Sequence, residues 1–239
     1  MASPEVVVVL GVVVLLEVGK NFGSMKKYIF TNDEKHSVQE AVKALEKESC
    51  GEIVPFFTRQ SDDYSEVSWH MSAILGIAGL AIIALLSYTW MLPAISFLEA
   101  FVVILFLMIL GYFLPILFPV LKRIFISDDR IMEMVSLRAK EAFLNEKVFE
   151  TKERVGILIY ISRLEHVVLV IGDEGINAKV QKEDWEKVVS LITDGLKRKQ
   201  IGDGLVNGIN HCKELLLSHG FVRKDTDTNE LSDELRIKE

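Results

Sequence analysis

The sequence predicts an α/β fold, a small mixed sheet covered by helices on both faces and interrupted by a two-helix transmembrane hairpin. Segments with the apolar spacing of amphipathic helices alternate with short β-branched runs, the pattern of a layered α/β domain. Between them lie two uncharged stretches, Met71–Pro93 and Ala100–Leu121. Each reaches the ~20 residues that a helix needs to cross ~30 Å of hydrocarbon. Spanning backbone must satisfy its hydrogen bonds internally, which makes helices the economical solution. Two core helices are the poorer reading, because the rest of the chain is too small to surround segments apolar on every face, such as Ile74–Ile83. Only Ala94–Glu99 separates the stretches, so the spans form an antiparallel hairpin and both flanks emerge on one side.

The first element is a valine-rich run, Val6–Leu16, broken by Gly11 and ended by Glu17. It is too short to span and lacks a preceding basic residue, so it makes a weak signal peptide, and its β-branched residues favour a strand. Gly23-Ser24 before Met25 has the form of a cloning junction ahead of a second start codon. Residues 1–24 therefore read as a leader foreign to the chain; the alternative is a native apolar leader packed on the membrane or on an edge strand. Thr31–Glu34 has the form of a capping box, and Val38, Ala41, Val42 and Leu45 follow at helical spacing up to Gly51. Glu52–Thr58 reads as a strand that Pro55 demotes toward an edge.

After the hairpin, Asp128 is placed to cap a helix running to about Lys147. Val155–Ser162 and His166–Ile171, joined by Arg163-Leu164-Glu165, read as a β-hairpin that supplies the central strands. Gln181–Lys199 carries Trp185, Val188, Val189 and Ile192 on one helical face, and Asp203 is placed to cap a last helix through Leu205, Ile209, Cys212 and Leu216. From Lys224 onward the chain is polar without period, which reads as mobile or extended. The resulting organisation is a leader (1–24), the first part of a soluble domain (25–67), the hairpin (68–123), the second part of that domain (124–223) and a polar tail (224–239).

No Lys or Arg occurs between Gln60 and Leu121, whereas Lys122, Arg123, Arg130, Arg138 and Lys140 follow the second span closely. Positive charge near span ends marks the cytoplasmic side, so the soluble part is placed in the cytoplasm and the tip with Glu99 outside. A net charge of −7 without a basic, aromatic-interleaved stripe argues against nucleic acid as a partner. Two cysteines, Cys50 and Cys212, cannot make a disulfide framework and suit a reducing compartment. Small residues along the first span, Gly76 and Gly79 among them, allow close approach of another helix, either the partner span or a second copy.

Gly51-Glu52-Ile53-Val54-Pro55 after a helix, Arg154-Val155-Gly156-Ile157-Leu158-Ile159 opening the hairpin and Gly172-Asp173-Glu174-Gly175-Ile176 after it resemble, in that order, the TPM domain family. Together with Gly204–Ile209 and the terminal Asn229–Leu235 they are similar to its membrane-inserted bacterial branch, over about Thr31–Leu235. The resemblance implies an α/β/α sandwich, a place in the bacterial cytoplasmic membrane, and roles in assembly, repair or maintenance of membrane protein complexes. It also implies acid phosphatase activity and calcium binding for soluble members. Here the chain departs from them: the soluble pattern has an Asp-Asn pair where Arg154-Val155 stands.

Asp173 and Glu174 lie where a strand ends beside Gly175, the crevice position at which open α/β sheets bind ligands. With Glu52 and Asp203 they form a candidate set for a divalent cation such as calcium. The bland alternative is that Asp173-Glu174-Gly175 makes a turn and Asp203 caps its helix. Asp225 and Asp227 suggest a phosphotransfer pair, but no strand precedes them, which excludes that reading. No P-loop, paired-histidine zinc motif, nucleophile elbow or dinucleotide fingerprint is present, so no catalytic residue is assigned. The expected function is a non-enzymatic module, anchored in the lipid bilayer, that binds another membrane protein or assembly through its cytoplasmic α/β domain and its helix hairpin, with self-association as a further form of partner. The competing expectation is a divalent-metal-dependent phosphatase using Glu52, Asp173, Glu174 and Asp203.

Overall fold

The computed structural model describes residues 6–9, 12–18, 28–89, 96–224 and 229–238. The chain divides into two compact units, one formed by Met1–Ser61 with Met132–Glu239 and the other by Asp62–Ile131. The first is an α/β/α sandwich around a mixed sheet. Its strands are β1 (Val6–Val9), β2 (Val12–Val18), β3 (Glu52–Thr58), β4 (Gly156–Ser162), β5 (Val167–Gly172) and β6 (Arg236–Lys238), in the spatial order β1-β2-β5-β4-β3-β6. β4 and β5 are central, paired antiparallel as the expected hairpin, and β3 lies parallel to β4 with Glu52 opposite Gly156. β2 runs antiparallel along β5 and β1 along β2, so the Val-rich run forms strands that extend the sheet. Gly23-Ser24 lies outside the described residues.

Three helices cover one face: α1 (Asn32–Glu48), α7 (Lys182–Lys197) and α8 (Ile201–Ser218). Alternation along each strand sends Ile53, Phe57, Ile157, Ile159, Ile161, Val168 and Val170 into this layer. They meet Val38, Val42 and Leu45 of α1, Trp185, Val188 and Ile192 of α7, and Leu205, Ile209 and Cys212 of α8 in one core cluster. Thr31 and Glu34 form both halves of the capping box expected for α1. The intervening strand positions Val54, Phe56, Leu158, Tyr160 and Leu169 are also buried. They face the side of α5 (Asp128–Asn145), whose Arg138 donates to the Ser61 carbonyl and whose Ala142 flanks Phe56.

Four local expectations change. The amide of Arg130 donates to Ser127 Oγ, so Ser127 caps α5 and Asp128 is its first residue. Gln200 precedes α8 and Asp203 sits in its first turn rather than at its cap. β3 is not an edge strand, because β6 pairs with Phe56, Phe57 and Thr58; that ladder begins one residue after Pro55, which has no N–H to donate. The tail is docked, with Asn229–Lys238 running back to β3; the pair Asp225 and Asp227 lies outside the described residues.

The second unit holds α2 (Ser65–Tyr88), α3 (Phe97–Leu117) and α4 (Val120–Phe125). α2 and α3 are each long and apolar enough to cross a membrane. Close approaches pair early with late residues, Met71 and Ser72 with Gly111 and Gly79 with Leu107, so the helices run antiparallel. A Cβ on Gly79 would lie 2.4 Å from Leu107 Cδ1, so the small-residue face of α2 is taken up by α3. Trp69 and Tyr112 meet edge to face at 5.1 Å, and the outward residues Ile77, Leu80, Phe101 and Phe106 are exposed. Pro115 lies inside α3 two residues before its end, and Pro119 stands at the start of α4. Ser96 and Glu99 make a capping box for α3; Trp90 and Pro93 lie outside the described residues.

The start of β4 has no room for a side chain: a Cβ on Gly156 would lie 2.0 Å from the Val148 carbonyl oxygen, a backbone atom that cannot step aside. Gly156→Ala is expected to lower stability by about 2–3 kcal/mol. Gly220→Ala, with φ +79 and open space around it, should lose only about 1 kcal/mol. Urea unfolding of the full chain in micelles, read by tryptophan fluorescence, separates the two.

Candidate functional site

Asp173 follows the last residue of β5 and caps the short helix α6 (Glu174–Asn177), accepting from the Glu174 amide at 2.8 Å. Its side chain is nearly fully buried, and Arg154 Nε lies 3.1 Å from Oδ2. Arg154 takes a left-handed backbone conformation, φ 57, unusual for a branched-free but bulky residue. That turn lets the Gly175 amide reach the Arg154 carbonyl at 3.0 Å, while Nη1 donates to the Phe149 carbonyl at 3.0 Å. Burial raises the Asp173 carboxyl above its usual range, against the opposing pull of the Glu174 amide and Arg154. A resident guanidinium thus stands where a cation would have to approach this carboxylate. Glu174 itself is exposed.

Glu52 opens β3 at the same end of the sheet, since Glu52 lies opposite Gly156 and the Asp173 amide donates to the Gly156 carbonyl at 2.9 Å. β4 nevertheless separates the two carboxylates, and two strand spacings amount to about 10 Å. The Glu52 carboxylate is buried and spends both oxygens on backbone: Glu230 N donates to Oε1 and Leu231 N to Oε2, each at 2.6 Å. Burial raises its pKa while those two amides lower it. Beside it stands Glu46 of α1, 5% exposed, which accepts from Asn229 Nδ2 at 3.1 Å. The same amide group reaches Asp233 Oδ1 at 2.6 Å. Burial, then Asp233, then Glu52 push the Glu46 carboxyl up to about 9, so it carries a proton at neutral pH.

Asp203 is exposed in the first turn of α8. Gly202, just before it, abuts the half-buried Glu34, which the Tyr28 hydroxyl donates to; desolvation would raise Glu34, but hydrogen bonds from Tyr28, Thr31 and the Gly202 amide hold it low. Asp203 is therefore not brought to Glu52, Asp173 or Glu174, and those three do not converge either. Among the described residues no group of three or more His, Cys, Asp or Glu side chains is placed to hold a metal ion. Cys212 is fully buried, its thiol pushed up to about 12, and His211 beside it faces Glu214 at 3.2 Å.

Two polar clusters escaped the sequence reading. One is Glu46 with Asn229 and Asp233, although Glu46 sits four residues after Val42 and so on the apolar face of α1. The other lies at the far end of the sheet, where Glu165 is 1% exposed. It accepts from Ser61 N at 2.7 Å and from the Ser162 hydroxyl, while Ser61 Oγ meets Ser162 Oγ at 3.0 Å and the Tyr160 hydroxyl at 3.1 Å. Turn-residue composition alone does not reveal such a cluster, because Ser61 lies about a hundred residues before Tyr160, Ser162 and Glu165.

No family model matches the chain, and no curated protein matches it. Among solved structures, the NMR structure of BA42 protein from the psychrophilic bacteria Bizionia argentinensis sp. nov. is similar, with a TM-score of 0.54 at 20% sequence identity. The match covers 90% of this chain and 99% of that one. At this identity the likeness speaks for the fold alone.

Because the folded pKa of Glu46 is raised, its contribution to stability is full below the unfolded value near 4.5 and is lost as pH rises toward about 9. Glu52 and Asp173, also raised, act in the same direction. Stability is expected to fall by about 1 kcal/mol per pH unit across the neutral range. Glu46→Gln should remove most of that slope above pH 6, checked by urea midpoints from pH 5 to 9.

Proposed function

We propose that this chain is a membrane-anchored, non-enzymatic interaction module of the TPM kind, which aids assembly or maintenance of a membrane protein complex. The observation that carries the reading is the α2–α3 hairpin. Its helices close on each other through Gly79 and Gly111, leaving Ile77, Leu80, Phe101 and Phe106 outward. In water such a surface is a liability, whereas in lipid it is the expected exterior. The basic residues Lys122 and Arg123 follow directly after α3, and charge near a span end favours the cytoplasmic side, which in a bacterium is the inner face of the cytoplasmic membrane. Against catalysis stands the way Glu52 and Asp173 are already engaged, one by two backbone amides and the other by Arg154 and its own helix.

The orientation is tested by cysteine accessibility in intact cells. A chain with Cys50 and Cys212 replaced by Ser and Ser96→Cys at the hairpin tip should react with a membrane-impermeant maleimide, while Lys140→Cys should react only after lysis. The reverse pattern would invert the proposed topology. The partner reading is tested by photo-crosslinking from Ile77 and Phe106 in native membranes. Discrete adducts with another membrane protein are expected; adducts with lipid and the chain itself alone would sink it. Stoichiometric binding of calcium, magnesium or manganese that disappears in the double variant Asp173→Asn, Glu174→Gln would instead favour the metal-dependent phosphatase.

A further inference from the structure

The terminal segment Asn229–Lys238 is held in an unusual way. None of its residues is buried, yet the groups it satisfies are: Glu46 is 5% exposed and Glu52 6%. Glu52 reads only backbone, the consecutive amides of Glu230 and Leu231, which any residue but proline offers. Glu46 reads a side-chain amide, that of Asn229. Farther along, Arg236 Nε pairs with Glu146 Oε2 at 2.8 Å, and Arg236–Lys238 adds a short parallel strand to β3. Lys152 anchors the start through Glu230, with Nζ 3.3 Å from Oε1. These are the elements of strand addition: a sheet edge that supplies main-chain bonds and flanking groups that select side chains.

The segment fills this edge incompletely. β6 pairs with only Phe56, Phe57 and Thr58, although β3 begins at Glu52, so the outer edge at Ile53–Pro55 has no ladder partner in β6. Beneath the end of the segment lies a cavity of about 280 Å³, lined by Phe56, Arg138, Glu141, Glu146, Arg236 and Ile237 among others. Ile237 is 40% exposed above it. Within the segment Leu235 is the one side chain packed against the apolar core, and segments held by few buried contacts open at lower free energy than the sheet they lie on.

We propose that Asn229–Lys238 is a built-in occupant of a strand-accepting groove along the outer edge of β3, and that an extended peptide of a partner protein takes the groove in its place. The partner segment runs parallel to β3. It presents two consecutive backbone amides to Glu52, an Asn or Gln side chain to Glu46 and a cation to Glu146, since the groove is lined by these acidic groups. The cavity beside Phe56 admits an apolar side chain larger than Ile237. This deepens the interaction-module reading and rests on it, naming the surface and the chemistry of what it binds.

The test uses the full chain in nanodiscs and a fluorescein-labelled peptide with the sequence of residues 229–239, followed by anisotropy. Leu235→Asp with Arg236→Glu loosens the chain's own segment without touching the groove carboxylates. Saturable binding to this variant is expected, at least tenfold tighter than to the unaltered chain, and weakened at least tenfold when Glu52→Gln is added. Absence of binding to a variant whose circular dichroism and melting remain native would overturn the proposal, as would equal binding to altered and unaltered chains or indifference to Glu52→Gln. Hydrogen exchange on the unaltered chain gives an independent reading: amides of Glu230, Leu231 and Ile237 should exchange far faster than those of Ile157–Ile161, and exchange only on global unfolding counts against a removable segment. If the unaltered chain forms a dimer that exchanges these segments, the occupant is a second copy and the partner assignment fails. Crosslinking from Ile77 and Phe106 remains a separate measure, so loss of peptide binding leaves association through the hairpin standing.

Discussion

The parallel pairing of Glu52–Thr58 with Gly156–Ser162 is the constraint on which the rest of the structure depends. Parallel neighbours cannot be joined by a tight turn, because the second strand must start at the end where the first one started. Here the crossover contains both apolar helices and α5. The two apolar helices run antiparallel, so the chain comes back to the end of the pair from which it left. Once β3 and β4 are registered, the antiparallel return of β5 follows from the short loop at Arg163–His166. The core layer of α1, α7 and α8 can then close over Ile53, Ile157, Ile159 and Val170.

Covering both faces of the sheet leaves several carboxylates inside, and their treatment explains the character of the domain. An ionised carboxylate out of water needs hydrogen-bond donors or a counter-charge, or else it takes up a proton. Glu165 is met by the Ser61 amide and the Ser162 hydroxyl, Glu52 by two amides, and Asp173 by an amide and Arg154. Glu46 has Asn229 on one oxygen, Oε1 is buried without a hydrogen-bond partner among the described residues, and the group faces Asp233 and Glu52, so protonation is the cheaper state. The acidic residues that resemble a ligand set in sequence are thus acceptors for the chain's own backbone. Arg154, in a left-handed turn, brings its own positive charge to Asp173.

Much of the fold was legible in local sequence. The Thr31–Glu34 capping box, the helical spacing through Trp185, Val188, Val189 and Ile192, and the β4–β5 hairpin are set within windows of a few residues, and each occurs where that pattern places it. Helix starts were less legible: Ser127 and Asp128 are both good caps by type, and only the bond from Arg130 N distinguishes them. The tail misled because its polarity resembles that of unordered chain, whereas its order comes from Glu52 and Glu146, far away in sequence.

By itself the sequence determined the capping box of α1, the buried face of α7, the β4–β5 hairpin and the two long apolar helices, because period, capping and apolar length are properties of contiguous residues. The tertiary structure alone decided that Gly79 and Gly111 seat α2 against α3, that β6 covers the end of β3, and that Glu52, Asp173 and Asp203 serve separate neighbours. Those outcomes depend on which distant backbone donors and side chains arrive beside a given residue. Chain topology sets that, and a local pattern carries no record of it.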